Sequence, residues 1–331
     1  MNKKLIQTLK ICAAVLLLSI SWTENTTAAI PAGNNSCPAT NLKDEATAPQ
    51  RIAKHAVLIA LDGWGAYSVP KAQIPHIKSL MEQGCYTLHK RSVLPSSSAI
   101  NWASMFNGAG TEMHGYTEWG SRTPEIPSMV VNERGIFPTI FSLFHDQLPQ
   151  AETACLFEWE GIRYLIDSLA VTYPERALGY DKQPDQLCTM AEECINRHKP
   201  AFLAVCFDQL DHTGHAEGHD TPAYYATLER LDTYVGRIIE ALKQAGIYDD
   251  TIIMMTADHG GINKGHGGKT LQEMEIPFII AGKNIRQGGE FKECMMQFDT
   301  AATIAYIFGL QQPQAWIGRP MKQVFLDETN K

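Results

Sequence analysis

No basic excess runs through this chain. Lys and Arg number 28 against 36 Asp and Glu, for a formal net charge of −8. A protein that grips a phosphate backbone usually carries a basic stripe, and none is seen, which argues against a nucleic-acid-coating surface. An acidic total leaves room for a small anionic substrate, because bound metal charge can dominate the field of a site. No Cys-x-x-Cys pair is present, so the usual pattern of a structural zinc site is missing. Internal repeats, low-complexity tracts and linker-like stretches are absent too, which favours one large domain over two. Beyond the N-terminus no apolar run is long enough to span a bilayer.

What is there begins at the N-terminus. Lys3, Lys4 and Lys10 precede an apolar run from Ile11 to Trp22, and small residues follow at Thr26, Thr27, Ala28 and Ala29. Basic, then apolar, then small is the order of a secretory signal peptide. The expectation is a signal at 1–29, a flexible polar lead at 30–50 and a single domain at 51–331. The mature protein would be periplasmic or extracellular, with no integral membrane segment. Of the 8 cysteines, Cys12 would leave with the signal, so an odd set remains: Cys37, Cys85, Cys155, Cys188, Cys194, Cys206 and Cys294. Cys188 and Cys194 are close enough in sequence for a local disulfide in an oxidising compartment. Cys206 lies in an apolar run and reads as a buried thiol.

The body of the chain alternates strand-like and helix-like segments. Ala56–Leu61, Ala201–Phe207, Thr251–Thr256 and Pro277–Ala281 are short continuous apolar runs, as expected for strands buried on both faces. Thr153–Trp159 is a less apolar candidate. The clearest helix opens at Thr221-Pro222, a cap followed by proline at the first helical position. Leu228, Leu231, Val235, Ile238 and Leu242 then recur at alternating spacings of three and four, and Gly246 stops the run. Helices are also expected over 75–83, 138–147 and 299–308. The alternation predicts an α/β fold, a mostly parallel sheet with helices on both faces. Ligands of such sheets bind just beyond the carboxyl ends of the strands. Asp62 follows the first strand, Asp208 and Asp211 follow a second, and Asp258 and His259 follow a third.

Carboxylates and imidazoles converging on one edge suit zinc, which takes oxygen and nitrogen ligands. His215 stands four residues after Asp211, and Lys264-Gly-His266-Gly-Gly follows Asp258-His259-Gly-Gly. Glycines beside such ligands let the backbone turn tightly around an ion. A nucleophile is expected in Leu94-Pro-Ser-Ser-Ser98-Ala-Ile-Asn101, where serines open a helix whose positive end favours an anionic oxygen. The spacing alone does not choose among Ser96, Ser97 and Ser98, and serines at such a position also serve as caps.

These motifs, from about His55 to Phe325, resemble the alkaline phosphatase superfamily, specifically its type I phosphodiesterase and nucleotide pyrophosphatase branch. Asp62-Gly63, the Pro95–Gly108 segment, His114-Gly115, Asp211-x-x-x-His215, Asp258-His259-Gly260 and His266-Gly267 each match a family motif. The resemblance implies a three-layer α/β/α sandwich and two zinc ions. It assigns one ion to Asp211, His215 and His266, and the other to Asp62, Asp258, His259 and the oxygen of Ser98. It also implies a phosphorylated Ser98 as intermediate, and an Asn101 that donates to a non-bridging phosphate oxygen.

The chain departs from the branch in one spacing. His259 and His266 are only seven positions apart, which resembles sulfatase-like and phosphoethanolamine-transferase relatives more than nucleotide pyrophosphatases. Asp62-Gly-Trp-Gly65 is similar to a motif of the cofactor-independent phosphoglycerate mutases. A Cys-x-Pro-x-Arg pattern, which a formylglycine sulfatase needs, is missing at 94–101. The leading expectation is a phosphodiesterase or nucleotide pyrophosphatase acting on a small substrate. The alternatives are a phosphomonoesterase or phosphonate hydrolase, or a phosphoryl or phosphoethanolamine transferase. No basic residue lies between Ser92 and Arg122 to clamp a monoester dianion, and Trp102, Trp119 and Trp159 are aromatic candidates near the site, so a diester is expected.

Overall fold

The strands anticipated as continuous apolar runs sit at the centre of one sheet. The computed structural model describes residues 51–326. The segments expected as signal (1–29) and lead (30–50) lie outside them. The strands are β1 (His55–Leu61), β2 (Cys85–Arg91), β3 (Thr153–Phe157), β4 (Tyr173–Arg176), β5 (Phe202–Phe207), β6 (Thr251–Thr256), β7 (Glu275–Gly282) and β8 (Gly289–Glu290). They form an eight-stranded sheet in the order β4-β3-β5-β1-β6-β7-β2-β8. From β4 through β6 the pairing is parallel; β7 runs antiparallel to both β6 and β2.

The helices are α1 (Pro75–Gln83), α2 (Ser98–Asn107), α3 (Thr111–His114), α4 (Ile140–Gln147), α5 (Gln186–His198), α6 (Gln209–Glu217), α7 (Pro222–Gln244), α8 (Leu271–Met274) and α9 (Asp299–Phe308). Alternate residues of β1 face opposite layers, as the two-residue strand period requires. Ala56, Leu58 and Ala60 pack with Trp102, Phe106, Phe141 and Phe308 from α2, α4 and α9. Val57, Ile59 and Leu61 pack with Ile77, Leu187, Leu228 and Val235 from α1, α5 and α7. This is the α/β/α sandwich that was expected. Thr221 caps α7, its hydroxyl accepting from Tyr224 N–H, and Pro222 opens the first turn. Truncating a fully buried member of the α7 stripe such as Leu228 to Ala would cost about 2–5 kcal/mol.

Register decides where the polar residues emerge. Leu61 pairs with Phe207 and Ala60 with Thr256, so the central strands end at nearly one level. The N–H of Asp62 still bonds the carbonyl of Phe207 at 2.8 Å. Whatever follows these strands must therefore share one edge.

The local disulfide envisaged between Cys188 and Cys194 does not form. Both thiols lie buried and free on α5, six residues apart. That is about 9 Å along the helix axis, beyond the roughly 7 Å Cα span that a disulfide tolerates. Cys206 is buried, as its apolar surroundings suggested. Among the described residues, no helix is long and apolar enough to cross a membrane.

Candidate metal centre

Two groups of ligand-type side chains meet at this edge: Asp62, Asp258 and His259 in one, Asp211, His215 and His266 in the other. Asp62 follows β1 directly. The turn after it needs Gly63, whose φ is +70° and where a Cβ would stand 2.7 Å from Asp211 Oδ1. Any side chain there would push the two groups apart.

The first group is buried, with Asp62 at 2% exposure and Asp258 and His259 at 0%. Trp102 Nε1 donates to Asp62 Oδ2 at 3.0 Å. The N–H groups of Gly63 and His259 donate to Asp258 Oδ1 at 3.1 and 2.8 Å. Each carboxylate thus has one oxygen held by the protein. Asp62 Oδ1 and Asp258 Oδ2 are buried without any partner. His259 Nδ1 lies 2.8 Å from the carbonyl of Gly260, which can only accept, so Nδ1 carries the proton. The bare Nε2 then faces Asp258 Oδ2 at 3.2 Å and Asp62 Oδ1 at 3.5 Å. Lone pairs crowd together here with nothing between them.

The second group repeats this on a more open surface. His215 Nδ1 is 3.0 Å from Lys264 O, and His266 Nδ1 is 3.1 Å from Ser96 O. Both carbonyls accept, so both Nε2 atoms turn inward and stand 3.1 Å apart. Asp211 Oδ2 is 3.1 Å from His215 Nε2, and Asp211 Oδ1 is buried without a partner.

Electrostatics follow the geometry. Burial, then Asp258 and Asp211, push the Asp62 carboxyl well above its ordinary range. Burial and Asp211 do the same to Asp258. Burial and His266 push His259 down to about 3. Burial also raises Asp211, but His215, His259 and His266 outweigh it and hold that carboxyl at about 2. Its hydrogen bond to Asp211 lifts His215 to about 9. The pull that would bring a proton to such a cluster is the pull that would bring a cation. Orphaned carboxylate oxygens facing bare imidazole nitrogens are a donor set that a metal ion satisfies and the protein does not.

Ser98 is the first residue of α2, and its Oγ is 3.1 Å from His259 Nε2. Ser96 is occupied elsewhere, donating to Gly268 O at 2.7 Å and accepting from Gly267 N–H. Ser97 precedes α2 and makes no side-chain cap bond. Of the three serines the spacing left open, Ser98 is the one whose hydroxyl meets the buried group.

Asn101 is tied into the loop that precedes α2. Its Nδ2 lies 3.1 Å from the carbonyls of Val93, Pro95 and Ser97, and its Oδ1 accepts from Val93 N–H at 2.7 Å. Both amide hydrogens are therefore engaged by the loop before α2. These bonds let Asn101 brace the nucleophile segment. His114 is likewise structural. Tyr116 N–H donates to its Nδ1, and its Nε2 bonds Ser104 Oγ inside the core. Trp102 is buried as the partner of Asp62, whereas Trp119 is 68% exposed and its carbonyl accepts from Ala99 N–H, next to Ser98.

Residues 56–266 match the sequence model of the type I phosphodiesterase / nucleotide pyrophosphatase family. The chain belongs to that family. Curated relatives include a bis(5'-adenosyl)-triphosphatase of Mus musculus, 22% identical over 63% of this chain and 47% of the relative. A 2,3-bisphosphoglycerate-independent phosphoglycerate mutase of Pseudomonas paraeruginosa is 30% identical over 45% of this chain and 28% of the relative. The chain thus spans about half or less of the length of these relatives. Among solved structures, murine ectonucleotide pyrophosphatase / phosphodiesterase 5 superposes with a TM-score of 0.65 at 15% identity, covering 83% of this chain and 100% of that one. A 2-O GAG sulfatase gives a TM-score of 0.66 at 15% identity, covering 84% and 76%. These likenesses establish the shared fold of the family and its sulfatase-type neighbours.

Proposed function

We propose that this family member is a metal-dependent phosphodiesterase that hydrolyses small phosphodiesters through Ser98. The observation that carries the reading is the meeting of two bare ligand groups with one serine hydroxyl at a single sheet edge. Asp62, Asp258, His259 and Ser98 Oγ would hold one zinc ion, and Asp211, His215 and His266 a second. When bound, such paired ions supply charge for the attacking and leaving oxygens of an in-line displacement.

The chain's own residues do the rest. Packing of α2 against the core fixes Ser98 at the helix start, where the positive end of the peptide dipoles favours an anionic oxygen. Asn101 and Ser96 hold the loops on either side, so the hydroxyl approaches phosphorus from one direction. Ser98 Oγ gives its proton to water and forms a bond to phosphorus as the bond to the leaving oxygen breaks, and the leaving oxygen takes up a proton from water. Water then attacks the phosphoserine, restoring the hydroxyl and releasing a phosphomonoester.

A diester is favoured because four of the five basic residues that could serve the site are held by other groups, while the fifth, Arg122, lies over the Tyr164 ring, 5.1 Å from its centroid. Lys90 is fully buried on Thr256 and Thr300, Arg91 pairs with Glu275, Arg163 with Glu160, and Lys264 donates to Ala216 O. Each of these contacts ties the cation to a partner other than a substrate phosphate. Exposed Trp119 offers a flat apolar face for the leaving group. The composition of residues 1–29 supports export to the periplasm or the exterior with removal of this segment, and 51–331 as one catalytic domain; N-terminal sequencing of secreted protein that begins at Met1 would contradict that removal.

The test uses zinc-loaded protein with an aryl phosphate diester and the matching monoester. The diester should show the higher kcat/KM. Ser98→Ala should lose several orders of magnitude by removing the covalent path, and Ser96→Ala should be much milder. A Ser98→Ala enzyme that keeps its activity would overturn the nucleophile, and a strong monoester preference would overturn the substrate class.

A further inference from the structure

His219 lies just past α6 and belongs to neither ligand group. Its side chain is wholly buried, yet both Nδ1 and Nε2 are without a hydrogen-bond partner. An imidazole always has at least one N–H to give, so this seat wastes a donor. The backbone goes to some length to build it. Gly218 and Asp220 on either side both have positive φ, at +102° and +60°. The N–H of His219 is pinned to Asn263 O at 2.6 Å. The ring fits only because two neighbours lack a Cβ: one on Gly214 would lie 2.4 Å from it, and one on Gly261 2.2 Å.

The nearest unsatisfied acceptor is equally specific. Asp211 Oδ1 is buried and unpartnered, and it stands 3.8 Å from His219 Nε2. The other oxygen, Oδ2, faces His215 Nε2 at 3.1 Å. A donor without an acceptor thus faces an acceptor without a donor, about 1 Å beyond hydrogen-bond length. Drawing Asp211 Oδ2 toward an ion shared with His215 and His266 need turn the carboxylate only slightly.

We infer that His219 is a positioning residue of the outer metal group: its Nε2–H donates to Asp211 Oδ1 and leaves Oδ2 to bind the ion. This rests on the metal reading above. Carboxylates that ligate metals are themselves hydrogen-bonded, and removing such a partner typically costs 10–100-fold in metal affinity. The sequence carries a trace of the arrangement, since Asp211, His215 and His219 recur at intervals of four.

The test measures zinc affinity of the full chain by chelator competition, with metal-free melting as a fold control. His219→Phe fills the same space without a donor, and His219→Gln restores an N–H. We expect His219→Phe to weaken one of two zinc sites by about 10–100-fold, to leave the other unchanged, and to melt like wild type without metal. His219→Gln should recover most of the lost affinity. Wild-type zinc affinity in His219→Phe, equal weakening of both sites, or a Gln variant as weak as Phe would each overturn the inference. If wild-type protein binds no zinc at all, the metal reading fails first and the inference with it.

Discussion

The two ligand groups are built from the same side-chain types and differ in what surrounds them. Asp62, Asp258 and His259 stand at the ends of β1 and β6 and are almost completely enclosed. Asp211, His215 and His266 come from α6 and a loop, and His215 is half exposed. In the enclosed group, burial and mutual repulsion drive both carboxyls up and the imidazole down. In the open group, histidines hold Asp211 down, and Asp211 holds His215 up. The enclosed group therefore needs a cation to be comfortable when charged, whereas the open group can partly neutralise itself. Under the proposed metal reading, the difference would give the enclosed group the task of fixing the nucleophile and the open group an ion that exchanges more easily.

The largest expected effect comes from breaking the enclosed group. Asp258→Ala should lower diester turnover by ~10³-fold or more, since it would disturb the ion proposed to be held with Ser98, and excess zinc should not restore it. His215→Ala should cost less. The zinc affinity lost with this one ligand should be overcome, at least in part, by raising zinc in the assay. Titrating zinc against initial rate separates the two; identical rescue curves would erase the proposed distinction.

Glu158 sharpens the comparison as a third buried carboxylate near this edge, one supplied with protein donors. Burial lifts it to about 7 from 4.5, while Gln209 and the N–H of Asp208 donate to it and oppose part of that rise. The folded state binds this proton more tightly than the unfolded state. Its contribution is therefore full below pH 4.5 and is lost as pH rises through about 7. The loss should be on the order of 1–3 kcal/mol. Urea melts across that window should fall more steeply for wild type than for Glu158→Gln, and parallel curves would show that burial does not raise this group.

The smallest effects should differ in sign. In metal-free protein Asp62→Asn relieves repulsion with Asp258 and should raise Tm, while Asn can still accept from Trp102. Asp211→Asn forfeits attraction chiefly to His215, which Asp211 holds protonated, and should lower it. Each change should be about 1 kcal/mol, or roughly 2–4 °C. Shifts in the same direction would mean that the two groups are electrostatically alike.

Much of this contrast was legible in the sequence, and the reasons are specific. β1, β5 and β6 each carry a continuous apolar run, so their ends could be read and the acids after them assigned to one edge. α7 carried a cap, a proline and a long apolar stripe. By contrast β2, Cys-Tyr-Thr-Leu-His-Lys-Arg, hides as a strand because its lysine is buried against two threonines from distant elements. α5 was missed, and with it the reason why Cys188 and Cys194 cannot pair. Asn101 matched a motif, but its bonds to carbonyls four to eight residues back depend on how the loop folds. The choice among three serines required the contact with His259, 161 residues away. His219 announced itself only through spacing, because the glycines that seat it come from separate segments.

The most direct test of a two-ion centre with unequal halves is elemental analysis of zinc-loaded, exhaustively dialysed protein. The account predicts two zinc ions per chain for wild type, one for Asp258→Ala and one for His215→Ala, with only the ion left in His215→Ala resisting a weak chelator. A wild-type chain that retains no zinc, or two single variants that each lose both ions, would contradict it.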